Sequence, residues 1–275
     1  MTLRERLKRA LWSSPLPEAA PSPAPGPGHN LSDEEQLGRE MLRLDWGLGL
    51  FRWVHLADAV EKAVSVSTVI SFGSGEGLHE VFLARARPDV TVLGVDLRRS
   101  QLVDLPPNAR FVSGDLLDAS FRKGLPKADF VYSIECLEHI EDDVTVAQAM
   151  VDCLVPGGHL YVQVPFCSRS EQDDPVLCEN ERRMFGHVRP GYDGDSLRTL
   201  ARRLDLDVVF IAGAFWAPLQ RVVWAAVEKF GPSLAPSWRD ILDLARLDLR
   251  TGLPANRTEA IAIKMLARKT TSTKA

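Results

Sequence analysis

Several classes of protein are disfavoured by what this sequence contains little of. Only 4 of its 275 residues are cysteine and no two have C-x-x-C spacing, which argues against a disulfide scaffold, a zinc ribbon and a thioredoxin-like site. Residues 208–220 form an uncharged, largely apolar stretch, but it contains Pro218 and is well short of the ~20 apolar residues of a membrane-spanning helix. With 33 basic against 37 acidic residues, the chain lacks the positive charge that drives non-specific nucleic-acid binding.

The first 65 residues differ in composition from the rest of the chain. Leucines at positions 3, 7 and 11 recur among basic residues, which predicts a short amphipathic helix for docking or a homodimer contact, or for contact with a membrane surface. Six of the 18 prolines lie in residues 13–28, which predicts an extended linker within a segment 1–30. Ser32 and Glu35 have the spacing of a capping box and open a helical flap over residues 31–65. Because no continuous apolar signal stretch is visible, we expect a cytoplasmic protein with reduced thiols.

From residue 66 onward, β-rich apolar runs alternate with helical patterns. Strands are predicted at 68–72, 90–95, 110–112, 130–134, 159–164, 208–212 and 259–267, and helices at 50–64, 78–87, 143–154, 195–204 and 218–230. Continuous apolar runs such as Val-Ile-Ser-Phe are typical of strands that are buried on both faces. The pattern predicts an α/β fold over residues 66–275: a doubly wound, mostly parallel, seven-stranded sheet.

A glycine-rich turn between the first predicted strand and helix marks a ligand site. Gly73, Gly75 and Gly77 alternate with single residues, and Asp96 ends the second strand about twenty residues later. Glycines let a ligand approach the backbone, and a carboxylate in this position can accept both ribose hydroxyls. Dinucleotides and S-adenosylmethionine share this ribose chemistry, but the Gly-x-Gly-x-Gly spacing weakens the pyrophosphate-binding interpretation.

Three further motifs follow in order: Gly-Asp-Leu at 114–116, Glu-Cys-Leu-Glu-His at 135–139, and Pro-Gly-Gly at 156–158. Over residues 66–212 the sequence resembles class I S-adenosylmethionine-dependent methyltransferases, which have a Rossmann-like fold. The resemblance implies that the three glycines line the methionine and ribose of S-adenosylmethionine. It implies further contacts to the ribose and adenine from Asp96, Leu97, Asp115 and Leu116.

One position departs from the family pattern. Ser71 stands where the first motif commonly begins with an acidic residue. The methionyl amino group must therefore find another partner, either Glu135 or a backbone carbonyl.

The Glu-x-x-Glu-His motif is a candidate metal site. If a helical turn begins there, Glu135, Glu138 and His139 share one face and can bind Mg²⁺ or Mn²⁺. The motif resembles the metal-binding signature of ubiquinone-biosynthesis O-methyltransferases and small-RNA 2′-O-methyltransferases, in which another histidine comes from downstream. His187 is the candidate for that histidine. The alternative is that His139 only packs or forms a hydrogen bond.

Residues 166–195 form a polar insertion that exceeds the usual connection length and is a candidate acceptor loop. Its Gly-His-Val-Arg stretch, residues 186–189, resembles a segment that closes over the acceptor in bacterial small-molecule and sugar O-methyltransferases. The arginines 182, 183 and 189 either bind the acceptor or form ion pairs with Asp173, Asp174 or Glu181.

These features predict an O-methyltransferase that acts on a hydroxyl of a sugar, an oligosaccharide or a similar small molecule, with a divalent metal. The resemblance extends to bacterial polysaccharide-directed enzymes, including those of methylmannose polysaccharide assembly. His139 or His187 is the candidate general base if no metal is bound. Two alternatives stay open: a quinone, phenol or natural-product methyltransferase without a metal, and a non-catalytic S-adenosylmethionine-binding partner protein.

Overall fold

The computed structural model describes residues 48–63, 65–98, 100, 102, 105–219, 221, 238–255 and 259–271. All of them belong to one compact unit, Leu37–Ala275. The predicted amphipathic helix, the proline-rich linker and the capping box at Ser32 lie outside the described residues, as does most of the helix predicted at 218–230. Within the described ranges, no helix is long and apolar enough to cross a membrane.

The described strands form a single sheet, which confirms the predicted fold class. Its order is β3-β2-β1-β4-β5-β8-β6-β7, and the first five strands are parallel. β8 runs antiparallel between β5 and β6. The sheet has eight strands rather than the predicted seven, because the two-residue β7 pairs with β6. The strands are β1 (Thr68–Phe72), β2 (Thr91–Asp96), β3 (Ala109–Ser113), β4 (Ala128–Ile134), β5 (Leu154–Pro165), β6 (Leu206–Trp216), β7 (Leu253–Pro254) and β8 (Ala260–Lys269).

Helices cover both faces of the sheet. They are α1 (Leu48–Lys62), α2 (Leu78–Ala86), α3 (Ala119–Lys123), α4 (Asp143–Cys153), α5 (Arg169–Gln172), α6 (Pro175–Phe185), α7 (Gly194–Arg203) and α8 (Trp238–Thr251), with a 3-10 turn at Leu137–His139. α1, α2, α4 and α7 lie within a few residues of their predicted positions. α3, α5, α6 and α8 were not predicted.

The central strands are buried on both faces, which explains their continuous apolar runs. Along β1, Val69 packs with residues of α1 and α2, while its neighbour Ile70 packs with residues of α4 and α7 on the opposite face. Successive side chains of the strand therefore pack into two hydrophobic layers, one on each face of the sheet, and neither face is exposed to solvent.

The chain reverses its direction of winding between β1 and β4. β2 and β3 extend the sheet on one side of β1, and β4 and β5 extend it on the other. The carboxyl ends of β1 and β4 therefore open into a crevice, which is the place where ligands bind in doubly wound sheets.

Candidate functional site

The glycines of the loop between β1 and α2 have different roles. All three have a left-handed backbone, with φ of 76° at Gly73, 55° at Gly75 and 88° at Gly77. A Cβ at Gly73 would lie 2.5 Å from the Cys136 sulfur, and one at Gly77 would lie 2.5 Å from the Phe111 ring. A Cβ at Gly75 would meet no atom of the described residues within 4 Å. Packing therefore requires glycine at the first and third positions, while the second faces open space.

Asp96 holds this loop at the carboxyl end of β2. Its Oδ2 accepts a hydrogen bond from the Gly75 amide at 2.8 Å, and its Oδ1 accepts one from the Arg98 amide at 2.9 Å. Each carboxylate oxygen has a second lone pair, so the side chain can still accept bonds from ribose hydroxyls.

A cavity of about 320 Å³ opens beside the loop. Its wall consists of the glycine loop, the first turn of α2, the end of β4 and two residues of α1. Besides the glycines, the polar and charged lining residues are Arg52, Ser71, Ser74, Glu76, His79, Glu80, Tyr132 and Glu135. The sequence predicts Glu135 and the glycines at this site, but it does not predict Arg52, His79 and Glu80. The spacing of these three residues on their helices does not indicate whether they face a cavity, the core or solvent.

Glu135 and Arg52 meet across this cavity. The Arg52 Nη2 lies 3.6 Å from the Glu135 Oε2, so α1 brings a guanidinium to the carboxyl end of β4. The neighbouring His79 contacts the Gly49 carbonyl oxygen through its Nε2 at 3.2 Å. Burial lowers the pKa of His79 to about 4, and the positive charge of Arg52 adds to the shift, so the imidazole is neutral near pH 7.

Asp96 and the remaining residues predicted to bind S-adenosylmethionine lie outside the cavity lining. Leu97 is exposed, and Leu116 is buried in the core. The Asp115 Oδ1 accepts a hydrogen bond from the Leu117 amide at 2.8 Å and so shapes the turn after β3. Their contacts to ribose and adenine stay predictions.

A second polar cluster contains three of the four predicted metal ligands. Glu138, His139 and His187 each place a ligand atom within 4.8 Å of the others. Glu138 and His139 come from the 3-10 turn after β4, and His187 follows α6. The Val188 amide donates to the Glu138 carbonyl oxygen at 2.9 Å, which fixes the two segments side by side.

Glu135 is not part of this cluster. It has a left-handed backbone with φ of 51°, and the helical turn after it begins only at Leu137 and is of the 3-10 type. The i, i+3, i+4 geometry of an α-helix, on which the four-ligand prediction relied, is therefore absent. The side chain of Glu135 lines the cavity instead.

The environment of the cluster suits a cation. Glu138 is fully buried, and neither of its carboxylate oxygens has a hydrogen-bond partner among the described residues. Burial and the charge of Glu135 raise the pKa of this carboxyl well above its usual range. The His187 Nδ1 lies 3.0 Å from the buried Glu181 carboxylate, the pairing that commonly orients metal-binding histidines. His139 is exposed, so the cluster can be reached from solvent.

The loop at 166–195 folds into α5 and α6, and Arg189 within it has a structural role. Its guanidinium donates to the carbonyl oxygens of Leu137 and Ile140, both at 2.8 Å, and of Glu141 at 2.9 Å. It also pairs with the Asp143 carboxylate at 3.2 Å. Arg189 thus pairs with Asp143 and not with an acid of its own loop, while its contact with an acceptor stays a prediction. Through these contacts, Arg189 stabilises the 3-10 turn that contains Glu138.

Comparisons with known proteins agree with this architecture. A family model described as a methyltransferase domain matches residues 34–210. A trans-aconitate 2-methyltransferase of Deinococcus radiodurans is 35% identical over 103 residues, which is 35% of this chain and 37% of that protein. The matched region thus spans about a third of that relative's length, and it also stays below two thirds in the other curated relatives.

Two solved structures share the fold. A geranyl diphosphate methyltransferase in complex with GPP and sinefungin has a TM-score of 0.56 and 13% identity, over 79% of this chain and 76% of that one. Phosphoethanolamine N-methyltransferase 2 of Haemonchus contortus, in complex with S-adenosyl-L-methionine, has a TM-score of 0.52 and 13% identity, over 85% of this chain and 60% of that one. Because the family model matches more than half of the residues, the chain belongs to the methyltransferase-domain family, within the class I S-adenosylmethionine-dependent methyltransferases.

Proposed function

We propose that this protein transfers the methyl group of S-adenosylmethionine to a hydroxyl oxygen of a sugar, an oligosaccharide or a similar small molecule, with the help of a divalent metal ion. One observation supports this proposal above the others. A cavity lined by the glycine loop, whose Gly75 amide donates to Asp96, lies beside a buried carboxylate and two histidines that can hold a cation.

The cofactor proposal assigns roles to the cavity residues. Asp96 binds the ribose hydroxyls, and the open space beside Gly75 lets the cofactor approach the loop backbone. Arg52 supplies a guanidinium that can bind the methionyl carboxylate in a bidentate manner. Leu97, Asp115 and Leu116 keep their predicted contacts to ribose and adenine as part of this proposal.

The residues present fit a metal ion. Two imidazoles and one carboxylate match the ligand preferences of Mn²⁺ better than those of Mg²⁺, which favours oxygen ligands. The unpartnered oxygens of the buried Glu138 are explained if a cation neutralises them. A bound divalent ion supplies Lewis-acid chemistry, which lowers the pKa of a hydroxyl that it contacts.

The chain's own residues supply the remaining chemistry. In the transfer, the acceptor oxygen forms a bond to the methyl carbon, the carbon–sulfur bond breaks, and S-adenosylhomocysteine leaves. The acceptor must also lose its proton. The imidazole of the exposed His139 can accept it if no metal is bound, and water can accept it if a bound ion has lowered the pKa of the hydroxyl. The protein's main contribution is to align the two reactants, since the sulfonium is already an excellent leaving group.

The test of this proposal separates metal binding from activity. We expect chelated protein to bind Mn²⁺ in a titration followed by electron paramagnetic resonance, and Glu138→Gln to lose most of that binding. Glu141→Gln, a change of an exposed carboxylate two residues after the turn, is the matched control. We expect transfer of labelled methyl groups to a panel of glycosides and phenols to require Mn²⁺ or Mg²⁺.

Three outcomes would redirect the proposal. Full transfer after exhaustive chelation would favour a metal-free enzyme with His139 as base. Transfer to phenols alone would replace the sugar acceptor. Binding of S-adenosylmethionine without transfer to any acceptor would favour a non-catalytic partner protein.

A further inference from the structure

The floor of the cavity contains a carboxyl group that the proposed function does not use. Glu80 lies in the first turn of α2, and only 2% of its surface is exposed. The Tyr132 hydroxyl donates to its Oε1 at 2.6 Å, and the Ser71 side chain also forms a hydrogen bond with this carboxyl group. Its Oε2 is buried and has no hydrogen-bond partner among the described residues.

An unpartnered buried carboxylate oxygen costs free energy unless a ligand completes its bonding. Burial raises the pKa of Glu80, and the charge of Asp96 adds to the shift, so this environment disfavours the charged form of the carboxyl group. Because Glu80 lines the cavity, a cationic group bound there would supply both the missing donor and the compensating charge. S-adenosylmethionine carries such a group in its α-ammonium.

Of the other carboxylates near the cavity, Glu76 is exposed to solvent, whereas Asp96 and Glu135 are already engaged. Both oxygens of Asp96 accept backbone amides, and Glu135 is paired with Arg52. The Glu135 Oε1 also lacks a hydrogen-bond partner among the described residues, so it is the competing candidate. Glu80 differs in having no positive side chain paired with it among the described residues, while two hydroxyl donors hold it in place.

We propose that Glu80 binds the α-ammonium group of S-adenosylmethionine, with Ser71 and Tyr132 positioning its carboxylate. This inference rests on the proposed cofactor binding. It answers the question raised by the serine at position 71, because the carboxylate comes from α2 instead of β1.

The test combines a protein change with a ligand change. Calorimetry compares S-adenosylhomocysteine, which keeps the amino group but lacks the sulfonium charge, with its analogue in which hydrogen replaces the α-amino group. We expect Glu80→Gln to weaken S-adenosylhomocysteine binding about tenfold or more, and to change binding of the deaminated analogue less than twofold. Glu135→Gln, the matched variant, should not show this selectivity.

If the role of Glu80 is purely structural, Glu80→Gln will weaken the binding of both ligands equally, and this result would overturn the inference. If only Glu135→Gln loses affinity selectively for S-adenosylhomocysteine, the ammonium group binds Glu135, and the inference is overturned as well. If the wild-type protein binds neither ligand, the proposed cofactor binding itself fails. Should Glu80→Gln not fold, Glu80→Asp provides the second test, since it keeps the charge but withdraws it by one methylene. The same selective loss is then expected, and an equal loss for both ligands would refute it.

Discussion

At the scale of single residues, two glycines of the loop between β1 and α2 have different roles. One matters mainly for the stability of the fold, and the other for the binding of the cofactor. Gly77 is confined by the Phe111 ring, whereas Gly75 borders open space, although both have a left-handed backbone. A methyl group at either position meets backbone strain, but only at Gly77 does it also collide with the half-buried Phe111 ring. The same substitution should therefore have different main effects at the two positions.

We predict that Gly77→Ala lowers the free energy of unfolding by about 1–3 kcal/mol more than Gly75→Ala does. Gly75→Ala should instead weaken S-adenosylhomocysteine binding, because its methyl group enters the space left for the cofactor. Urea unfolding and calorimetry of the two variants measure these effects. Equal unfolding free energies would show that the Phe111 ring can move aside without cost.

His79 gives a residue-scale prediction for the pH dependence of stability. Its pKa is about 4 in the folded protein but close to 6.5 in the unfolded chain, so between these values the unfolded chain binds more protons. The free energy of unfolding should therefore fall as the pH drops from 6.5 to 4, by at most about 1.4 kcal/mol per pH unit for this group. Denaturation at pH 5 and 7 should show a smaller pH dependence in His79→Gln than in the wild type. An unchanged slope would mean that His79 is protonated in the folded state.

At the scale of elements, a buried polar network joins α1 to α8 and the sheet. The Asp248 carboxylate on α8 lies 2.8 Å from the His55 Nε2 on α1, and it accepts the Phe215 amide at 2.9 Å. Lys264 on β8 contacts the other ring nitrogen of His55. Because α1 also carries Arg52 and Gly49 into the cavity, this network fixes one wall of the proposed cofactor site.

We predict that Asp248→Ala lowers the free energy of unfolding by about 3–5 kcal/mol, because it leaves buried groups without their partner. Asp243→Ala on the same helix is the control, since Asp243 is exposed and its ion pair with Arg246 is worth at most about 1 kcal/mol. Urea unfolding of both variants gives the comparison. Similar losses in the two variants would show that water replaces the buried partner.

The elements also show which features the sequence reveals. Strands β1, β2 and β4 were predictable because burial on both faces demands continuous apolar runs, and α4 was predictable from its apolar spacing. The polar helix α6 begins at Pro175 after the Asp174 cap, and its sequence is typical of a loop because it buries few side chains. Its carboxyl end delivers His187 to the cluster at Glu138. His187 and Glu138 are brought together by tertiary packing. Their positions in the sequence therefore suggest that they are close in space but do not establish it.

At the scale of the whole molecule, the winding of the sheet creates the site. At the crevice between the ends of β1 and β4 lie the glycine loop, Glu135 and the turn with Glu138. Arg52 of α1 forms part of its wall. Gly73, Asp96 and Glu138 were recognisable because they follow strands in a family pattern. Arg52 and Glu80 were not, since they lie on helices whose orientation follows only from the packed fold.

We propose that this crevice binds S-adenosylmethionine with Asp96 at the ribose. Calorimetric titration of the wild type, Asp96→Asn and the exposed control Asp207→Asn tests it most directly. We predict saturable binding to the wild type and the control, and binding to Asp96→Asn that is weaker by about 1.5–3 kcal/mol, since a charged acceptor is lost. Absence of binding to the wild type, or equal affinity in Asp96→Asn, would contradict the account.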